Sequence, residues 1–222
     1  MPKRVDHAMR REQIAHAACE LVASVGFERA TVARIAAAVG YTTGMLAHYY
    51  KSKDAIVLAA LRLILRRMEQ RLTQRGANGD DLLQVLSECL PLDKTRATEC
   101  AFWTAFWGTV ATSSRAGRLN AWVHREYVRL FDRCMALHWP DSRRWPKDVR
   151  RDVLLSIMAF INGLTTSAVT SPADWPAARQ SQQLAQQLRL LHNWAQATNR
   201  TEFPLRVRTA PQARPGHTRR NR

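Results

Sequence analysis

Paired cysteines are missing from this chain. The four that occur, Cys19, Cys89, Cys100 and Cys134, are widely spaced and form no CxxC pair. That pattern suits reduced thiols in a cytoplasmic protein better than a disulfide framework or a zinc site. No stretch is expected to reach the ~18 consecutive apolar residues of a membrane helix. The opening segment MPKRVDHAMRREQ lacks the apolar run and small-residue cleavage site of a secretory signal. Catalytic motifs are missing too. The seven histidines show no HExxH spacing, and there is no Gly-rich phosphate loop and no GxSxG. His124, His138 and Glu126 do not assemble into a convincing site. The expectation is no catalytic residue, no metal and no cofactor.

Acidic residues are also few. Eighteen Asp and Glu stand against 34 Lys and Arg, for a net charge of +16. An excess of this size favours a polyanionic partner, nucleic acid ahead of an acidic membrane. A membrane role lacks a basic amphipathic helix with a clean apolar face, so no membrane partner is expected. The charge is uneven. Residues 1–53 hold eight Lys and Arg against four Asp and Glu, whereas residues 200–222 hold seven Arg against Glu202 alone. That last segment, with Pro204, Pro211 and Pro215 and little to bury, reads as a basic disordered tail. A non-specific nucleic-acid binder driven by this tail is therefore one reading of the chain.

What the chain has in quantity is helical spacing. Ile14, Ala18, Leu21, Val22 and Val25 recur at three- and four-residue steps, and Gly26 closes that helix. Thr31 caps a short helix with Val32, Ile35, Ala36 and Val39 on one side, stopped by Gly40. Thr42 caps a third, running to about Tyr50, and Ser52 caps a fourth from Lys53 to about Arg75, ended by the GANGD segment. Further helical patterns cover roughly 81–90, 95–113, 118–138, 147–170 and 177–198, separated by Pro140, Pro146, Pro172 and Pro176. The fold expected is all-α. A small N-terminal helix-turn-helix domain over residues 1–56, with an arm at 1–8, is joined by a long helix to a bundle over 57–199.

The segment GYTTGMLAHYYKSK, residues 40–53, joins a turn to a short helix and then to two lysines. A short amphipathic helix, a turn and a second short helix form helix-turn-helix grammar, in which the second helix enters the DNA major groove. Leu46, Tyr49 and Tyr50 lie at i, i+3 and i+4, so part of that set faces the helices behind. Thr43 with Ala47, and Gly44 with His48, line the outward side, which is small or hydrogen-bonding. Lys51 and Lys53 flank the start of the fourth helix, where the dipole disfavours cations by ~0.3–1 kcal/mol. A phosphate seated on the same free amides would reverse that preference. Taken singly, Thr42 and Thr31 are also ordinary caps, and Tyr50 is core.

The stretch TVARIAAAVGYTTGMLAHYYKSKDAI, residues 31–56, resembles the DNA-binding signature of TetR-family transcriptional regulators. Within that family TGMLAHYYKSK, the opening MPK, Arg10-Arg11 and the later AFWTAFWG look most like the choline-responsive BetI-type repressors. Carried over by position, the resemblance implies base-edge contacts for Thr43 and Gly44. It implies phosphate contacts for Thr31, His48, Tyr49 and Lys53, with Arg34 and the cap Thr42 at the same surface. Tyr41 and Ala47 depart from the common pattern, which leaves the operator sequence open. Double-stranded operator DNA is the partner implied, and repression the mode.

Residues 153–164, VLLSIMAFINGL, are apolar nearly all round and must be buried on more than one side. Leu154, Ile157, Ile161 and Leu164 there, with Leu184, Leu188 and Leu191 on the last helix, are the expected homodimer interface, as the resemblance also implies. Two recognition helices roughly 34–36 Å apart would then read an inverted repeat. In the helix over 95–113, Glu99, Trp103 and Trp107 repeat at four-residue steps beside Phe106, and Trp122 and Tyr127 follow on the next helix. A carboxylate with stacked indoles can hold a quaternary ammonium, and the resemblance points to choline. The same stripe is also what an ordinary aromatic core looks like, so pocket and core both stand at this point.

Overall fold

The computed structural model describes residues 6–111 and 113–200. The first five residues of the expected arm and the basic tail beyond Arg200 lie outside the described residues. The elements in order are α1 (His7–Val25), α2 (Val32–Ala38), α3 (Thr43–Ala47), α4 (Lys53–Ala77), α5 (Leu82–Ser87), α6 (Lys94–Val110), α7 (Ser114–His138), a 3₁₀ turn (Pro140–Arg144), α8 (Lys147–Thr170) and α9 (Ala177–Arg200). No strand occurs among the described residues, so the chain is all-α.

Local chemistry sets most helix starts. Asp6, Thr31, Thr42, Ser52, Asp81, Asp93 and Ser113 each accept a backbone N–H of the first turn that follows. Such a cap contributes ~1 kcal/mol. Gly26 and Gly40 take positive φ of 82° and 72°, which ends α1 and turns the chain between α2 and α3. The third helix is shorter than its sequence pattern suggested and stops at Ala47. His48 and Tyr49 donate their amides three residues back, to Met45 and Leu46, so the last turn tightens before the chain reaches Tyr50.

Two apolar cores form. Ile14, Ala18, Ile35, Ala36, Leu46, Tyr50 and Ile56 close a small one inside the first three helices and the start of α4. The larger core runs through α4–α9 and includes Val22 from α1. Leu21 packs against both, and α1 lies against α4 and α6 together. The N-terminal unit therefore rests on the bundle through α1 as well as through the continuous α4.

Helix α8 bears on two expectations. By length and composition, with a mean hydropathy of 1.6, it is apolar enough to cross a membrane, contrary to the view that no stretch would qualify. Here it is a core helix, burying Val149, Val153, Leu154, Ile157, Met158, Ile161, Leu164, Thr165 and Ala168. That same stripe contains the residues expected at the dimer interface. Leu154, Ile157, Ile161 and Leu164, with Leu184 and Leu188 of α9, are buried within the single chain, and Leu191 is half-buried against the same core. The helix is apolar on both sides, and its bulkier stripe turned inward. The outward side carries Leu155, Ala159 and Gly163. On α9 it carries Leu190, 58% exposed, and Trp194, 40% exposed.

Candidate nucleic-acid interface and effector cluster

Helix α3 packs on α2, and the turn that follows it is tied to α1. Leu46 and Tyr50 are buried, the Tyr50 hydroxyl donates to the Arg11 carbonyl at 3.1 Å, and Arg11 Nη2 donates to the Tyr49 carbonyl at 2.9 Å. The Arg11 guanidinium also lies 5.0 Å over the Tyr50 ring. Tyr49 is half-buried, with Tyr41 stacked on it at 5.9 Å and His7 tilted against it at 5.7 Å. Thr43, Gly44, Met45, Ala47 and His48 remain exposed on the far side. Sequence reasoning passed over Met45, which is 47% exposed. Its signal was the step of one from Gly44 on a face already read as outward.

Gly44 is informative because the fold does not need it. Its φ is not positive, and an added Cβ would meet only Thr42 Oγ1, at an ordinary 3.8 Å. A glycine in a helix costs up to ~1 kcal/mol relative to alanine, so its use here fits close approach by something outside the chain. Thr42 Oγ1 accepts from the Met45 amide at 3.2 Å. Thr31 Oγ1 accepts from the Arg34 amide at 3.3 Å, while Arg34 Nη1 reaches back to the Arg29 carbonyl. Lys51 is exposed, but Lys53 is not free as its sequence position suggested. Its ammonium donates to the Phe27 carbonyl at 2.6 Å and sits 4.7 Å over the Phe27 ring. Burial lowers its pKa despite the opposing charges of Asp54 and Glu28.

In the bundle, Glu99 is only 4% exposed. Arg71 of α4 grips it with Nη2 at 2.7 Å and Nη1 at 3.4 Å, and Arg71 Nε lies 3.6 Å from Glu88. Arg75 and Arg96 also bind Glu88. The candidate carboxylate thus already has a cation. Sequence reading missed Arg71 because 28 residues separate it from Glu99 and no helical spacing links them. Trp103 stacks on Trp107 at 6.1 Å and meets the edge of Tyr127 at 5.5 Å. Trp103 and Phe106 are buried, and Trp122 lies under the Arg62 guanidinium at 5.5 Å. Burial raises the Tyr127 phenol well above its usual range, and Cys89, Cys100 and Glu99 add to the effect. The rings of Trp103, Phe106, Trp107 and Tyr127 are therefore in contact across α6 and α7, Trp122 of α7 faces Arg62 of α4, and the Glu99 carboxylate is already paired.

Comparison with known proteins places this geometry. Residues 14–60 match the bacterial regulatory proteins of the tetR family, and residues 79–193 match the C-terminal domain of BetI-type transcriptional repressors. The chain belongs to the TetR family, in its BetI-type branch. It is a helix-turn-helix transcriptional regulator of a DNA-binding repressor family and not an enzyme. The tetR match takes in most of α1, all of α2 and α3, and the start of α4. Among curated relatives, the transcriptional regulator BetI 1 of Chromohalobacter salexigens is 26% identical over 81% of this chain and 90% of its own length. A transcriptional regulator from Rhodococcus sp. Rha1 superposes with a TM-score of 0.70 at 24% identity, covering 83% of this chain and 97% of that one. One from Saccharomonospora viridis, solved in complex with choline, gives 0.68 at 17% identity over 81% of this chain and 95% of that one. At these identities the two structures speak for the TetR fold alone.

Proposed function

We propose that this TetR-family chain is a cytoplasmic repressor that binds an inverted-repeat operator as a homodimer and is modulated by a quaternary ammonium effector. The observation that carries the DNA reading is the exposed face of α3, with its unneeded glycine. Thr43 and Gly44 read base edges, and Thr31, Arg34, Thr42, His48, Tyr49 and Lys53 meet the flanking phosphates. Residues 1–56 form the reading domain, as the separate small core supports, and 57–199 the effector and dimer domain. The dimer buries the outward faces of α8 and α9, with Leu155, Ala159, Gly163, Leu190 and Trp194 in place of the residues that fill the chain's own core. An exposed Trp beside an exposed Leu is costly without a partner.

The effector site is the cluster of Glu99, Trp103, Phe106, Trp107, Trp122 and Tyr127. Support comes from the BetI-type match and from the choline complex of the Saccharomonospora viridis neighbour. Because Arg71 already holds Glu99, a cationic effector must displace or share that guanidinium. The test is binding to the DNA upstream of the chain's own gene against a shuffled duplex at about 150 mM salt, where specific regulators separate the two by at least ~10³. Choline titrated into the complex should then lower affinity; equal choline affinity for free and DNA-bound protein removes the effector reading. The rival reading rests on the seven arginines of 200–222. If deleting 200–222 abolishes specificity, that reading replaces this one.

A further inference from the structure

We propose that Phe27, in the loop between α1 and α2, is a positioning residue that holds the Lys53 ammonium ready for an operator phosphate and ties its position to the aromatic cluster of α6. The inference deepens the DNA reading above and rests on the phosphate role given there to Lys53.

The geometry is two-sided. On one side, Phe27 holds Lys53 by its carbonyl at 2.6 Å and by its ring at 4.7 Å. An ammonium has three donors and the carbonyl takes one, so two remain for a phosphate. A free lysine loses much rotamer entropy when it binds, and one already fixed by a carbonyl and a ring face has lost most of it beforehand. Lys53 also stands at the first position of α4, where the dipole repels it. Without the Phe27 ring only the backbone carbonyl, which any residue at that position supplies, would hold the ammonium near the helix end. Lys53 is half-buried, which lowers its pKa and leaves it where an added anion is felt more strongly.

On the other side, the Phe27 ring meets Phe106 of α6 at 6.5 Å. Phe106 meets Trp103 at 6.0 Å, and Trp103 meets Tyr127 at 5.5 Å. Rings in contact connect the candidate effector cluster to the candidate phosphate clamp without passing along α4. Phe106 is fully buried, so a shift of α6 would press on the rings it touches, Phe27 among them.

The test is a double-mutant cycle on operator binding by the full chain, read as affinity and as the slope of log affinity against log salt. Lys53→Met should weaken binding and flatten the slope by about two units per dimer, one phosphate per protomer. Phe27→Leu should weaken binding ~3- to 10-fold when Lys53 is intact, the scale of one lost cation–π contact plus ordering, and less than ~2-fold when combined with Lys53→Met. Phe27→Tyr, which keeps the ring face, should stay within ~2-fold of wild type. Equal losses in both backgrounds would make Phe27 merely structural, and no loss in either would also overturn the proposal. If Lys53→Met keeps wild-type affinity and slope, the phosphate reading falls and the proposal with it. If Lys53→Met weakens binding but Phe27→Leu does not, the proposal falls alone. For the α6 connection, Phe106→Met and Phe106→Leu guard each other against a folding defect. Either should weaken binding only while Lys53 is present; a loss that persists in the Lys53→Met background overturns the connection.

Discussion

Replacing Arg71 by methionine should be one of the most damaging single changes to the bundle, although only its ion pairs with Glu99 and Glu88 are touched. Methionine keeps most of the stem volume and removes the guanidinium. Among the described residues, Arg71 is the one polar partner of the Glu99 side chain, through the 2.7 and 3.4 Å contacts. Glu88 keeps Arg75 and Arg96 and loses less. Removing one member of a buried pair costs ~3–5 kcal/mol, since the other charge stays buried alone. The Arg71 side chain is 24% exposed, which points to the lower end, about 3 kcal/mol. In a chain of this length that corresponds to a fall in melting temperature of roughly 6–12 °C. Glu99→Gln should cost less, about 1–2 kcal/mol, because a neutral amide can still accept from Arg71. Arg71→Met combined with Glu99→Leu removes both charges and should recover most of the loss. Urea unfolding at one fixed protein concentration, with m unchanged, measures all four proteins. A loss below about 1 kcal/mol for Arg71→Met, or a double variant no better than the single, would refute the reasoning.

Three further outcomes are expected. Burial pushes the Cys19 and Cys100 thiols up to about 12 and Cys134 up to about 11, and Cys89 higher still. With pKa raised, the thiolate is scarce at about pH 8, so all four should resist an aromatic disulfide reagent in the native protein and react promptly in denaturant; fast native reaction would contradict this. Gly44→Ala should raise stability by ~0.5–1 kcal/mol, since the Cβ meets nothing closer than 3.8 Å, and yet lower operator affinity; unchanged affinity would free α3 from close base contact. Leu190→Glu with Trp194→Glu should convert a dimer to monomer in analytical ultracentrifugation and make the unfolding midpoint independent of protein concentration, whereas a persistent dimer would move the proposed interface off α9.

Where one residue settles a local choice, the sequence was readable. Thr31, Thr42 and Ser52 each cap the helix expected of them, because a hydroxyl at that place has few other uses in water. Gly26 and Gly40 end elements where glycine alone is comfortable. The range of α8 was recovered to the residue, since prolines bound it before its start and after its end. The orientation of α8 was not recoverable. A helical period identifies a stripe, but a helix with two apolar stripes does not say which faces its own core and which is left for a partner. The larger stripe, with Val153, Ile157 and Ile161, won the inside. The face left outward, and so the one proposed for the interface, has members such as Ala159 and Gly163 that look unremarkable in sequence.

The cluster around Glu99 was half readable for a related reason. Aromatic residues four apart announce a common face, and that face is where the structure puts them. What the spacing cannot carry is charge balance across elements, because Arg71 reaches Glu99 from another helix. That omission changes the chemistry of the proposed site. A carboxylate with no partner would attract any cation, whereas one held by a guanidinium accepts a new cation only at the expense of the old bond. Net affinity is lowered accordingly, but the exchange acquires a mechanical consequence. Arg71 belongs to α4, which begins at Lys53 just after α3, so releasing its head group would remove the ion pair that links α4 to Glu99 of α6. An effector that merely filled space would bind both states alike and shift nothing. One that replaces Arg71 on Glu99 binds the released state better, and that difference is what regulation requires.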